Sequence, residues 1–227
     1  MVKKIKVLII TDSLGFPRSA PELLLYEETY IALLRNKFTE YDIIHQGRGG
    51  ATIKELFNHS SYYHETLNPD IVIIQSGIVD CAPRALTLTE QHVISRLPFL
   101  SEILISFVKK NSNFLRKFRN IKYTPVEVYQ EYIRKFNLLF HNTYWIGILP
   151  ASDDYEKQLH NIRESIFKYN DVLHKENAIN KYLSLVNYTE YDIMSDFHHL
   201  NKSGHTKLFK DISVLLSKGL KDISLDK

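Results

Sequence analysis

A single cysteine, Cys81, stands among the 227 residues. One thiol can neither close an internal disulfide nor build a cysteine metal cluster, and its isolation fits a reducing compartment. It is expected to serve as a small buried apolar side chain. Ten histidines are scattered without an HExxH or comparable ligand spacing, so no metal or other cofactor is expected. No uncharged apolar segment reaches the roughly 20 residues that a membrane span needs. The opening "MVKKIKVLIITDS" has the lysines of a secretory leader. Its run Val7 to Ile10 is nevertheless shorter than a leader's apolar core of roughly 7–15 residues, and no small-residue cleavage site follows. The chain is therefore expected to be soluble, unprocessed and cytoplasmic. The basic excess is a formal +3, too small by itself to imply nucleic acid, and none is expected as a partner. No repeat, low-complexity tract or domain linker interrupts the chain.

The remaining composition, 44% hydrophobic and 24% charged, is that of a globular chain with one sizeable core, and a single domain is expected. Ile5 to Ile10 reads as a buried strand, short, continuous and β-branched. Tyr41 to His45, Asp70 to Gln75, Thr143 to Leu149 and, more weakly, Tyr182 to Asn187 read as further strands. Helical spacing covers Glu22 to Phe38, Thr52 to Tyr63, Tyr155 to Asn177 and Lys202 to Leu220. Residues 86 to 141 read as two or three helices punctuated by Pro98, the polar "KKNSN" and Pro125. Strands alternating with helices predict an α/β fold with a five-stranded parallel sheet covered on both faces, and a helical insertion at about 86–124. In such a sheet ligands bind beyond the carboxyl ends of the strands. The loops "TDSLG", "QGRGGAT", "SGIVDCAPR" and "DFHHLN" should therefore line one crevice.

These loops hold the parts of a nucleophilic site. A serine hydroxyl is a poor nucleophile until a base, usually a histidine oriented by a carboxylate, takes its proton. Ser13 is a candidate nucleophile, His199 a candidate base and Asp196 the group that holds its other ring nitrogen. His198 competes for the base, although the spacing from Asp196 and the following "LN" favour His199. Backbone N–H groups of Ser13 and of a loop glycine can receive an oxyanion. His205 is expected in the first turn of the last helix, in a structural role.

The blocks "TDSL", "GRGGAT", "GIVD" and "DFHHLN", in this order, resemble those of the SGNH/GDSL hydrolase family. The resemblance implies that family's flavodoxin-like doubly wound fold over essentially the whole chain. It further implies Ser13 as nucleophile, Gly50 as oxyanion-hole glycine, and Asp196 and His199 as the remaining triad members. The implied reaction is hydrolysis of an acyl ester or a carbohydrate O-acetyl group, with a small ester or glycan, anionic in one version, as substrate. Two positions depart from the family pattern. Thr11 stands where its first block has glycine. Val79 stands where its third block, Gly-x-Asn-Asp, has the asparagine whose amide donates to the oxyanion. Arg84, five residues on, is a candidate replacement or a binder of an anionic substrate group. Asp80 either contacts substrate or organises its loop through backbone N–H groups.

The segment "KKNSNFLRKFRNIK", 109 to 122, holds six basic residues and no acidic one. It is open to three readings: a solvated helix face, a cap beside the site that attracts an anionic polymer, or, over 97–122, a surface for peripheral contact with anionic lipid. Two other functions share the same constellation. An acyltransferase of surface polysaccharide biosynthesis would pass the acyl group to a sugar. A glycan-binding protein on a hydrolase scaffold would explain Val79.

Overall fold

Short runs of β-branched side chains flanked by helices satisfy their backbone only by pairing with one another under cover on both faces. The computed structural model describes residues 4–97, 101–119 and 121–225. Its strands are β1 (Ile5–Thr11), β2 (Tyr41–Gly47), β3 (Ile71–Gln75), β4 (Thr143–Ile146) and β5 (Tyr182–Leu183). All neighbouring pairs are parallel, in the order β2-β1-β3-β4-β5. The predicted doubly wound five-stranded sheet is the observed one.

The helices among the described residues are α1 (Tyr30–Lys37), α2 (Ile53–Ser60), α3 (Tyr63–Thr66), α4 (Ile78–Cys81), α5 (Leu88–Ser95), α6 (Ser101–Lys110), α7 (Ser112–Arg119), α8 (Val126–Leu139), α9 (Asp153–Gln158), α10 (Ile162–Glu176) and α11 (Lys202–Leu225). Successive strand residues point to opposite faces. Leu8, Ile10, Val72, Ile74 and Trp145 therefore join the core formed with α2, α8 and α10, through Leu56, Ile133, Phe136 and Tyr169. Val7, Ile9, Ile71, Ile73 and Tyr144 join the other core, formed with α1 and α11 through Ile31, Leu34, Leu208 and Ile212. Each fully buried Leu, Ile or Phe contributes about 1.5–3 kcal/mol.

Local chemistry trims several expected elements. Glu22 to Phe38 is not one helix. Leu24 turns inward and pairs with Arg18 in an antiparallel bridge, and α1 begins only after Thr29, whose hydroxyl accepts from Ala32 N–H at 3.3 Å. Tyr155 to Asn177 is two helices, α9 and α10, separated by Asn161 in the left-handed region at φ 68°. The Glu156 carboxylate accepts from the Asn161 and Arg163 N–H groups at 2.7 and 2.9 Å. It thereby satisfies donors at the start of α10 from the preceding helix. Pro98 lies outside the described residues.

Between β3 and β4 the chain makes its longest excursion. Helices α5 to α7 depart after Arg84 and return at Ile121, where the Arg84 N–H donates to the Ile121 carbonyl at 2.8 Å. A two-pronged ion pair from Arg119 to Glu90, at 2.7 and 2.9 Å, ties α7 to α5. Among the described residues no helix is long and apolar enough to cross a membrane. The strand order reverses between β1 and β3, which opens a crevice beyond their carboxyl ends.

Candidate active site

Three loops meet at that crevice. Asp12 N–H donates to the Gln75 carbonyl at 3.3 Å, and Arg48 N–H to the Thr11 carbonyl at 3.0 Å, so the ends of β1, β2 and β3 are laced together. Ser13 opens a single 3₁₀ turn, Ser13–Gly15, capped by the Asp12 carboxylate, which accepts from Leu14 N–H at 2.9 Å. This turn lifts Ser13 out of the strand line and leaves its side chain half-buried while its neighbours are sealed.

The fourth loop supplies the rest. Ser13 Oγ lies 2.9 Å from His199 Nε2, and His199 Nδ1 lies 2.7 Å from Asp196 Oδ2. An ionised carboxylate only accepts, so Nδ1 carries the ring proton and Nε2 is left to accept from the serine. Asp196 Oδ1 is held by the N–H groups of His198 and His199, at 3.2 and 3.0 Å. Burial pushes the Asp196 carboxyl up. The hydrogen bond from His199 and the charges of His198 and His199 outweigh that effect and hold it well below the usual carboxylate range. The ring of His198 is engaged elsewhere: its Nδ1 lies 2.7 Å from the Asp196 carbonyl, and it stacks on Tyr155 at 6.2 Å. Asp196, His198 and His199 offer ligand atoms within 4.8 Å of one another, but the contacts among the three already use Asp196 and both Nδ1 atoms.

The Ser13 and Gly50 N–H groups have no hydrogen-bond partner among the described residues. Gly50 sits exposed in a turn closed by Ala51 N–H on the Arg48 carbonyl at 3.2 Å, with φ 69°, a conformation that favours glycine. Val79 is buried in the turn after β3 and offers no side-chain donor. Arg84 does not reach Ser13 or His199 with a hydrogen bond. Its Nη2 donates to the Val79 carbonyl at 3.2 Å, and its guanidinium lies 4.4 Å from the Tyr123 ring centroid.

Asp80 is not available to substrate, which corrects one of its two expected roles. It is fully buried, accepts from Ile53 N–H at 3.0 and 3.2 Å, and accepts from the Thr124 hydroxyl at 2.5 Å. It anchors the start of α2 to the chain returning from the helical excursion. Burial, only partly offset by those bonds, raises its carboxyl to about 6. His205 is buried and accepts from Tyr30 N–H at 3.2 Å, a structural contact between α11 and α1.

Arg18 was not singled out from the sequence. Its Nη2 also donates to His199 Nε2, so it competes with Ser13 for the lone pair of the base. No motif marks it, because its place depends on the pairing with Leu24.

Asp12 yields a test of the electrostatics beneath the serine. Its Oδ2 has no partner. Burial, opposed by Leu14 N–H and reinforced by the charge of Asp80, raises its carboxyl to about 7, with Arg18 lowering it slightly. The unfolded value is about 3.9. Between these values the folded chain binds the proton that the unfolded chain has released, so this group's contribution to stability declines as pH rises. Asp12→Asn removes that decline. The stability of the variant relative to wild type is expected to increase from about pH 4 to about pH 7 and to level off above. Urea midpoints at pH 5 and pH 8 measure it. A difference independent of pH would show that Asp12 is ionised throughout.

No family model and no curated protein matches the chain. Solved structures do. A lipase/acylhydrolase from Enterococcus faecalis superposes with TM-score 0.61 at 15% identity, covering 92% of this chain and 93% of its own. A GDSL-like lipase from Bacteroides thetaiotaomicron gives 0.58 at 12% identity, covering 94% and 88%. An acetyl xylan esterase from Geobacillus stearothermophilus gives 0.53 at 17% identity, covering 93% and 94%. The chain has the SGNH/GDSL hydrolase fold.

Proposed function

We propose that this chain is a serine esterase of the SGNH/GDSL kind that removes an acyl group, acetyl in the simplest case, from a carbohydrate or related small ester. The observation that carries the reading is the unbroken hydrogen-bond chain Ser13 Oγ–His199 Nε2 and His199 Nδ1–Asp196 Oδ2, at 2.9 and 2.7 Å. The likeness to an acylhydrolase and an acetyl xylan esterase supports it.

Arg18 first withdraws from Nε2. His199 then takes the Ser13 proton as Oγ bonds to the acyl carbon, and the negative charge moves to the carbonyl oxygen. The Ser13 and Gly50 N–H groups stabilise that oxyanion. Collapse of the tetrahedral species breaks the ester bond, and the leaving alkoxide takes the proton from His199. Water, deprotonated by the same nitrogen, attacks the acyl-enzyme and restores Ser13. Val79 leaves the site without the side-chain donor of the family pattern. Losing one such donor typically costs about 10²–10³ in rate, so turnover is expected to be slow.

A fluorophosphonate probe tests the reading directly. Folded wild-type protein is expected to acquire one phosphonyl group, mapped to Ser13 by peptide mass spectrometry, and Ser13→Ala to acquire none. Failure to label under conditions that label an active esterase would favour a glycan-binding role on this scaffold.

A further inference from the structure

Four arginines face carboxylates: Arg48 with Glu55, Arg119 with Glu90, Arg134 with Glu176 and Arg163 with Asp153. Arg84 and Arg116 are different. Both are half-buried, and neither has a carboxylate partner among the described residues. In each, as in Arg18, Nε is buried and donates to nothing. Arg84 comes from the loop after β3 and Arg116 from α7, which is held against that loop where Arg119 Nη1 donates to the Ala85 carbonyl at 2.9 Å. Burial first, and then the charge of Arg84 beside it, holds the Arg116 guanidinium below its ordinary value. Two like charges half-removed from water with no counter-anion are costly, and an anion between them relieves both the repulsion and the unmet N–H groups.

The pair is tied to the triad loop through Tyr155. Burial first, and then the neighbouring Cys81 and Asp196, push the Tyr155 phenol up, while the charges of Arg84 and Arg116 act to lower it. Its ring stacks on Phe197 at 5.6 Å and on His198 at 6.2 Å, and His198 packs in turn on His199 at 4.2 Å with the rings tilted by 46°. Its hydroxyl has no hydrogen bond among the described residues, so it is a further free donor on this wall of the crevice. Guanidinium groups suit such a place, because their planar forks bind carboxylate and phosphate oxygens in pairs.

We propose that Arg84 and Arg116, with the Tyr155 hydroxyl, form an anion subsite beside the acyl-binding position, and that the ester substrate carries a carboxylate or a phosphate which docks there. This deepens the esterase reading and rests on it. Arg116 then explains the helical excursion. Helices α5 to α7 bring one guanidinium back to the crevice, held by the Arg119–Glu90 clamp and the Arg84–Ile121 pairing. Arg116 is a specificity residue and takes no part in bond breaking.

Three O-acetyl hexosides that differ only at C6 test it: a neutral methyl glucoside, a methyl glucuronoside and a glucose 6-phosphate. Wild-type kcat/KM is expected to favour one anionic ester over the neutral one by about 10–100-fold, mainly through KM, as a charged hydrogen-bonded contact supplies. Whether the carboxylate or the phosphate ester leads identifies the anion. The ratio is expected to fall towards 1 in Arg116→Ala, to recover in part in Arg116→Lys, and to shrink in 0.5 M salt as exposed charges are screened, about 0.5 M being well above physiological ionic strength. A wild-type ratio near 1, or a ratio that Arg84→Ala and Arg116→Ala both leave intact, would overturn the subsite while leaving the esterase standing. If no ester turns over and Ser13 does not label, the esterase reading fails on its own. Calorimetry with the three deacetylated sugars on Ser13→Ala protein then decides the subsite. Anion-dependent binding lost in Arg116→Ala upholds it, and equal or absent binding of all three rejects it.

Discussion

Asp196→Asn is expected to lower kcat by about 10⁴-fold with little change in KM, the size seen when a triad base is forced into the wrong tautomer. The reason lies in the two backbone N–H groups on Asp196 Oδ1, from His198 and His199. They compel the carbonyl oxygen of an asparagine into the Oδ1 position. The amide nitrogen must then take the place of Oδ2 and face His199 Nδ1. An amide N–H₂ only donates, so Nδ1 must accept and the ring proton moves to Nε2. His199 then presents a donor to Ser13 and cannot take its proton. Asp196→Ala leaves the ring free to choose its tautomer and is expected to lose less than Asp196→Asn at the same pH. Steady-state rates on p-nitrophenyl acetate, with circular dichroism to verify folding, give the comparison. An asparagine variant within about tenfold of wild type would be far from the expected loss and would mean that Asp196 does not orient the base.

The parts of this molecule that could be read from sequence are those whose cause is local. The buried strands are legible because a parallel strand covered on both faces must be a short continuous β-branched run, as Ile71–Gln75 and Ile5–Thr11 are. The serine, the aspartate and the histidine stand in motifs because their geometry depends on a few neighbouring residues: Asp12 caps the turn that carries Ser13, and Asp196 holds backbone and ring of a residue three positions on. What was not legible is set by distant contacts. Helical spacing through Leu24 and Leu25 is genuine, yet Leu24 is placed by its bridge to Arg18. The break before α10 comes from the Glu156 side chain reaching past its own helix. Asp80 looks like a site residue because it follows Val79 in the third block, but its partners are Ile53 and Thr124, at separations of 27 and 44 residues. Arg18, Arg116 and Tyr155 reach the crevice from segments whose paths only the folded chain defines. No composition or period could have placed them.

The residues that follow Asp196 and His199 in "DFHHLNKSGH" show the opposite limit, a motif whose purpose is packing, and Gly204 is its sharpest case. It lies in the first turn of α11, where Asn201 caps the helix by accepting from Gly204 N–H at 3.1 Å. The loop that carries Asp196 and His199 is closed against this turn. Met194 N–H donates to the His199 carbonyl at 2.7 Å, and Asn201 N–H to the Asp192 carbonyl at 3.0 Å. That Asp192 carbonyl rests on the Cα of Gly204, and a Cβ there would lie 2.1 Å from its oxygen and 2.7 Å from Leu200 Cδ2. The obstacle is backbone, so no rotamer change relieves it. Helix and loop must separate by about an ångström, and Asp192 is further pinned by Ser203 and Lys207 at 3.2 and 3.0 Å. Gly204→Ala is therefore expected to cost about 3 kcal/mol or more, at the upper end for overpacking. At this chain length that is a fall in Tm of about 6–12 °C. Because the strain falls on the segment between Asp192 and Asn201, His199 moves relative to Ser13. Displacements of about 1 Å in a reacting group cost on the order of 10²-fold in rate. Calorimetry and kcat on a neutral acetyl ester, measured well below the lowered Tm, separate the two effects. A variant that lost stability yet kept wild-type kcat would mean that the helix yields and the loop carrying Asp196 and His199 does not. One that kept both would show that the Asp192 carbonyl is free to move away.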